Sequence, residues 1–391
     1  MKRRIFVSTG EVSGDLQAAL LVEALQKQAR SLDIDLEILA LGGDRMAEAG
    51  AILLGNTSAI GSIGIFESLP YILPTLNLQQ RAKQYLLQNP PDAVVMIDYM
   101  NPNISIGSYV RKHLPHVPTA YFISPQEWVW SHTLENTKKI VSITDTLLAI
   151  FPEEARYYAQ HGANVRLVGH PLLDRMEAAP DRAAARAALG IPDEQVAIVL
   201  LPASRQQEIK YLMPVMFQAA QLIQAQVPTA HFWIPLSLEK YQGAVERAIA
   251  KYQLRATILE SNQGKSTLSA IAAADLALTK SGTVNLEMAL LNVPQVVMYR
   301  VNPITAWVAR NIIKFSIPFM SPPNLVLMKP IVPEFLQEEA IPQTIADAAL
   351  EQLRPEVRER TIAGYQAMRV ALGEPGVCDR AAQEILKLLK L

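Results

Sequence analysis

The sequence predicts an α/β protein of two doubly wound, Rossmann-like domains facing a cleft, and three observations carry that expectation. Short β-branched runs recur along the chain, each followed by a stretch with helical spacing. The runs are apolar throughout, as strands covered on both faces of a parallel sheet must be. The rhythm breaks once, at a joint rich in glycine and proline, and then restarts.

Taken in order, the first series of strands is RIFVST, LEILALGG, DAVVMID, TAYFIS, TLLAIF and VRLVG. The second is AIVLLPAS, HFWIPL, ATILE, DLALTKSG and QVVMYR. Runs this short, alternating with helical stretches, read as βαβ units. The joint is Gly169-His170-Pro171 through Pro180-Asp181. The expected bounds are 1–172 for the first domain and 173–354 for the second. Helices over 355–391 are expected to pack back on the first domain.

At 391 residues, half of them hydrophobic, the chain can give each domain a substantial core. A net charge of -1 with acids and bases mixed argues against a nucleic-acid partner held by broad phosphate neutralisation. The single cysteine, Cys378, excludes an intramolecular disulfide framework and fits a reducing compartment. Only three apolar residues follow Met1-Lys2-Arg3-Arg4 before Ser8, whereas an export signal needs about 7–15. A cytoplasmic protein is therefore expected. Tyr211 to Leu238 carries no charge and is long enough to span a bilayer. Its glutamines and its Val227-Pro228 break make it a helix followed by a buried strand, His231 to Leu236.

Ligands of open parallel sheets bind beyond the carboxyl ends of the strands, so chemistry is sought there. Ser8-Thr9-Gly10-Glu11-Val12-Ser13-Gly14-Asp15 has the shape of a phosphate loop, yet Glu11 and Asp15 repel phosphate. Hydroxyls and acceptors at Ser13, Gly14 and Asp15 favour a sugar instead; Ser13 as an N-cap and Asp15 as a dipole partner are the plain alternatives. Asp98, at the end of DAVVMID, stands where a general base would, or forms the turn before Asn101-Pro102. Trp128 and Trp130 in ISPQEWVWSH can stack on a sugar or acyl chain, or simply pack; His132 is a further proton carrier to consider. His170 at the joint either reaches a nucleotide or braces the hinge.

In the second series, Ser281-Gly282-Thr283 opens a helix with small hydroxyls and an unhindered backbone, suiting a diphosphate or an ordinary N-cap. Glu287, one turn on, can accept from a ribose diol. In LLPASRQQE, Arg205 beside Ser204 offers a planar fork for the diphosphate, or pairs with Glu208 at i+3. Together these positions read as a nucleoside-diphosphate site. No Asp-x-Asp or histidine cluster stands near it, so neither metal nor cofactor is expected.

The chain as a whole resembles the lipid-A-disaccharide synthase family, inverting glycosyltransferases of the two-Rossmann-domain GT-B type. STGEVSGD, SIGIFESL, ISPQEWVW, VGHPLLD, LLPASR, SGTVNLE, PNLVL and PEFLQ follow the family's motifs in order. The family's ID-A-P-D-F-N block stands here as Ile97-Asp98-Tyr99-Met100-Asn101-Pro102-Asn103, keeping Asp98 and replacing the second carboxylate by Asn101. The resemblance implies a UDP-activated 2,3-diacylglucosamine donor, a 2,3-diacylglucosamine 1-phosphate acceptor and a β-1,6-linked acylated disaccharide as product. It implies Asp98 as base with Glu11 as runner-up, and adds Asn324 of PNLVL to the donor residues. Acyl chains suggest a peripheral position on the inner face of a bacterial membrane; a homodimer is compatible. Ile304 to Met320, with Arg310 and Lys314 one turn apart, reads either as a basic amphipathic helix on that surface or as a helix packed on the sheet. Two rivals stay open. Another UDP-N-acetylglucosamine transferase or epimerase would turn over a water-soluble donor. A non-catalytic nucleotide- or lipid-binding relative would bind UDP tightly without transfer.

Overall fold

In the computed structural model the chain forms two compact units, Met1–Asp174 with Leu372–Leu391, and Arg175–Ala371. The structure describes residues 2–57, 65–130, 133–203, 205–236, 238–260, 265–302, 307 and 318–389. Ser204, His132 and most of Ile304 to Met320 lie outside the described residues, as do the side chains of Glu11 and Trp130.

The first unit holds strands β1 (Lys2–Ser8), β2 (Asp35–Gly42), β3 (Ile52–Asn56), β4 (Ala93–Ile97), β5 (Thr119–Phe122), β6 (Thr146–Ala149) and β7 (Val165–Leu167). They form one parallel sheet in the order β3-β2-β1-β4-β5-β6-β7. The second unit holds β8 (Val196–Leu201), β9 (Ala230–Pro235), β10 (Ala256–Leu259), β11 (Leu276–Lys280), β12 (Gln295–Tyr299) and β13 (Glu334–Leu336). Its parallel sheet runs β10-β9-β8-β11-β12-β13. Two doubly wound parallel sheets are the architecture the alternating runs predict.

The central strands show why apolar runs were needed. All five residues of β4 are buried, as are Ile5, Phe6 and Val7 of β1. In the second sheet Ile198, Leu200 and Leu278 pack on one face with Phe217. Ala197, Val199 and Ala277 pack on the other with Trp233 and Met288. The uncharged stretch from Tyr211 is part of this core. Helix Met213–Gln226 buries Met216, Phe217, Ala219, Ala220 and Ile223, and β9 follows its end. Among the described residues no helix is long and apolar enough to cross a membrane. Strands β3 and β13 were not expected; both lie at sheet edges, and none of their residues is fully buried.

The terminal stretch divides between the units rather than acting as one piece. Helix Pro355–Leu372 runs through the second unit up to Ala371, where Arg358 donates to the Asp275 carbonyl at 2.7 Å. Helix Val377–Lys387 packs on the first unit's helix Glu11–Ser31. The VGHPLLD motif docks it. Asp174 accepts from the amides of Gly376, Val377 and Cys378 at 2.6–2.9 Å, and Arg380 donates to the Val168 carbonyl at 2.8 Å. Gly169 adopts φ +91°, and a Cβ there would lie 2.9 Å from the Leu372 carbonyl oxygen.

Candidate active site

Each sheet reverses its winding once, between β1 and β4 in the first unit and between β8 and β11 in the second. Such switch points open a crevice at the carboxyl ends of the strands. Ser8 is in register with Met96 across the first, and Leu201 with Thr279 across the second. The Ser8 turn therefore lies beside Asp98, and the Arg205 loop beside Ser281.

At the first switch point, Asp98 is exposed while its backbone is tightly held. Asp98 and Tyr99 have φ 49° and 47°, a left-handed pair that ends β4 abruptly and starts helix Met100–His113. For residues with a Cβ that conformation costs roughly 1–2 kcal/mol each. Hydrogen bonds offset the cost. The Asp98 amide donates to the Ile123 carbonyl at 2.9 Å, and its carbonyl accepts from Tyr121 Oη at 2.7 Å and Asn103 Nδ2 at 2.8 Å. Burial, and then the Asp98 charge, push the Tyr121 phenol well above its ordinary range, so it stays a donor. Tyr99 covers the turn, with its ring against Gly10.

The remaining first-unit candidates lie deeper in the fold. Asp15 is buried, and its carboxylate accepts from the amides of Gly43, Met46 and Arg45 at 2.8, 3.2 and 3.3 Å, capping helix Asp44–Glu48. Gly14 is likewise interior; a Cβ would fall 2.3 Å from Thr9 Oγ1. Trp128 is half-buried, packing on Phe151 with centroids 5.6 Å apart, and Phe151 packs on His170 at 5.3 Å. His170 is buried in this unit. Its Nδ1 accepts the Leu172 amide at 3.2 Å, and burial lowers its pKa to about 3, leaving it neutral. Ser13 is half-buried on the first turn of its helix.

Sequence reasoning passed over Glu154. Its carboxylate is wholly interior, accepting from the amide and hydroxyl of Ser124 and from the amides of Ile150 and Phe151. Burial raises its pKa to about 7 against the pull of those bonds. It ties the ends of β5 and β6 together. The spacing from Phe151 to Glu154 was the available signal, a carboxylate three residues into a helix that opens with proline.

At the second switch point a second cation joins Arg205. Lys280, the last residue of β11, puts Nζ 3.1 Å from Glu208 Oε1, and Arg205 Nη1 lies 3.9 Å from the same oxygen. Glu208 also accepts the Arg205 amide at 3.0 Å. Tyr241 and Tyr299 border the group: burial raises both phenols, and both feel the opposed charges of Arg205 and Glu208. Lys280 was legible as a cation at a strand end but was overlooked for the hydroxyls that follow it.

Those hydroxyls are partly engaged. Ser281 Oγ donates to the Met320 carbonyl at 2.6 Å, and the Gly282 amide donates to Asn285 Oδ1 at 2.7 Å. The Gly282 amide is thus engaged inside the protein, and Thr283 is half-buried beside it. Glu287 is buried and paired with Arg175, a partner 112 positions away. Asn324 is held by the protein itself. Fully buried, it donates to the Val332 carbonyl and Glu334 Oε2 and accepts the amides of Ile331 and Val332 at 2.7 and 2.9 Å. Its amide clamps the turn before β13. Among the described residues no three His, Cys, Asp or Glu side chains converge as metal ligands.

Two doubly wound parallel sheets, each with one switch point, are the architecture of the GT-B class of glycosyltransferases and related epimerases. The fold matches Staphylococcus aureus MnaA solved with UDP (TM-score 0.68, 14% identity, 100% of this chain and 97% of that one). It also matches Acinetobacter baumannii MurG (TM-score 0.60, 15% identity, 98% and 99%). Residues 5–388 match the lipid-A-disaccharide synthetase family, and the chain belongs to that family of glycosyltransferases. It is 59% identical over 384 residues to the lipid-A-disaccharide synthase of Gloeothece citriformis, covering 98% of this chain and 99% of the relative.

Proposed function

We propose that this glycosyltransferase joins UDP-2,3-diacylglucosamine to 2,3-diacylglucosamine 1-phosphate, giving UDP and a β-1,6-linked disaccharide 1-phosphate. The family supports UDP-sugar and acylated glucosamine as substrate classes. The observation that carries the residue assignment is the Asp98 carboxylate, exposed at a switch point while its backbone is locked.

In the proposed reaction the acceptor's primary hydroxyl attacks the anomeric carbon as its proton passes to Asp98. The bond from the anomeric carbon to the diphosphate oxygen breaks on the opposite face, inverting the centre, and UDP departs. Arg205 and Lys280 offset the charge that gathers on the leaving diphosphate; such charge-assisted bonds are worth about 1.5–3 kcal/mol each. Glu208 holds the two cations until the nucleotide competes for them. A ribose diol would share the Glu287 carboxylate with Arg175. Acylated substrates favour a position at the inner face of a bacterial membrane, with which an exposed Trp307 is compatible.

Purified protein incubated with both acylated substrates should yield UDP and disaccharide by mass spectrometry. Turnover of UDP-N-acetylglucosamine alone would favour an epimerase, and UDP binding without product a non-catalytic relative.

A further inference from the structure

The Asp98 carboxylate hangs from a backbone that no regular element holds, and one side chain links it to the centre of the sheet. Asn103 is fully buried on helix Met100–His113. Its Nδ2 donates to the carbonyls of Ile97 at 3.0 Å and Asp98 at 2.8 Å. Its Oδ1 lies 2.7 Å from Ser8 Oγ, on the neighbouring strand β1. Two carbonyls on one side fix which end of the amide carries the nitrogen, so the serine hydroxyl must be the donor on the other. The same carbonyl of Asp98 takes the Tyr121 hydroxyl, from β5. Three adjacent strands therefore converge on one peptide group. A buried amide with its donors and acceptor all engaged has a single orientation, and it transmits that rigidity to the peptide it grips.

We infer that Asn103 is the positioning residue of the catalytic base: it holds Asp98 in its left-handed conformation so that the carboxylate meets the acceptor hydroxyl, without itself touching substrate. The inference rests on the reading of Asp98 as base. Small misplacement of a reacting group is costly in turnover, and binding by the other unit is untouched by it.

The test is a double-mutant cycle of Asn103→Ser and Asp98→Asn, read as turnover at saturating substrates with UDP affinity measured in parallel. Asn103→Ser is expected to lower turnover at least about tenfold with UDP affinity within about twofold of wild type. In the Asp98→Asn background the same change should cost less than about twofold, because no carboxylate remains to be positioned. Equal losses in both backgrounds would show general structural support and overturn the inference, as would unchanged turnover in Asn103→Ser alone. Normal turnover in Asp98→Asn by itself would remove the underlying reading, and is recognised without any Asn103 variant. If Asn103→Ser fails to fold, Ser8→Ala takes its place in the cycle, since it loosens the amide without emptying its pocket. It should lower turnover about threefold, and only where Asp98 is present.

Discussion

Tyr99 lies over Gly10 so closely that a Cβ built on the glycine would stand 2.5 Å from two of its ring carbons. Gly10 has φ -145°, open to any residue, so the demand for glycine here is made by the ring and not by the backbone. Gly10→Ala should therefore lower the melting temperature, and adding Tyr99→Ala should restore most of the loss. If the double variant melts no higher than Gly10→Ala, the steric account fails.

Asp98→Asn should cut turnover by about 10²–10⁴-fold, the usual worth of general-base assistance, with UDP affinity hardly changed. The comparison is Glu11→Gln under the same saturating conditions. A collapse in Glu11→Gln with normal Asp98→Asn would move the base to the first turn.

Arg205→Ala and Lys280→Ala should each weaken UDP binding about tenfold or more, from the loss of one charge-assisted contact apiece. Calorimetric titration with UDP reads both. Lys280→Ala with wild-type affinity would leave Lys280 as a mere counter-ion of Glu208.

Asn324→Leu should destabilise the second unit by about 2–4 kcal/mol, because it strands the buried amides of Ile331 and Val332 and the Val332 carbonyl. UDP affinity of the folded fraction should be unchanged. A stable variant that had lost UDP affinity would return Asn324 to the donor site.

His170 supplies a pH dependence. Its folded pKa, about 3, lies below the unfolded value near 6.5, so between these values the unfolded chain binds the extra proton. Stability is then complete above about pH 6.5 and falls as the pH drops, by up to about 1.4 kcal/mol per unit. Urea unfolding of wild type and His170→Asn between pH 7 and 5 checks it. The asparagine keeps an acceptor for the Leu172 amide without titrating, so the two stabilities should converge as pH falls. Parallel curves would mean His170 is not held neutral.

The sequence by itself determined the architecture and the family. Apolar runs such as DAVVMID and AIVLLPAS bury on both faces wherever they are placed, so their number and spacing already dictate two parallel sheets. Asp98, Arg205 and Ser281 stand out as candidates because strand ends are where such sheets bind ligands. Only the tertiary structure decided what neighbouring carboxylates and amides do. Asp15 and Asn324 look like ligand residues in their motifs, yet the first caps a helix that begins 29 positions later and the second clamps its own turn. Lys280 and Glu154 show in the sequence only as a cation at a strand end and a carboxylate in a helix's first turn; their partners, like the Ser8 that meets Asn103, appear only in the fold. A polar side chain is committed by whichever unpaired donors or acceptors the fold brings within 3 Å or so, and sequence spacing does not record those.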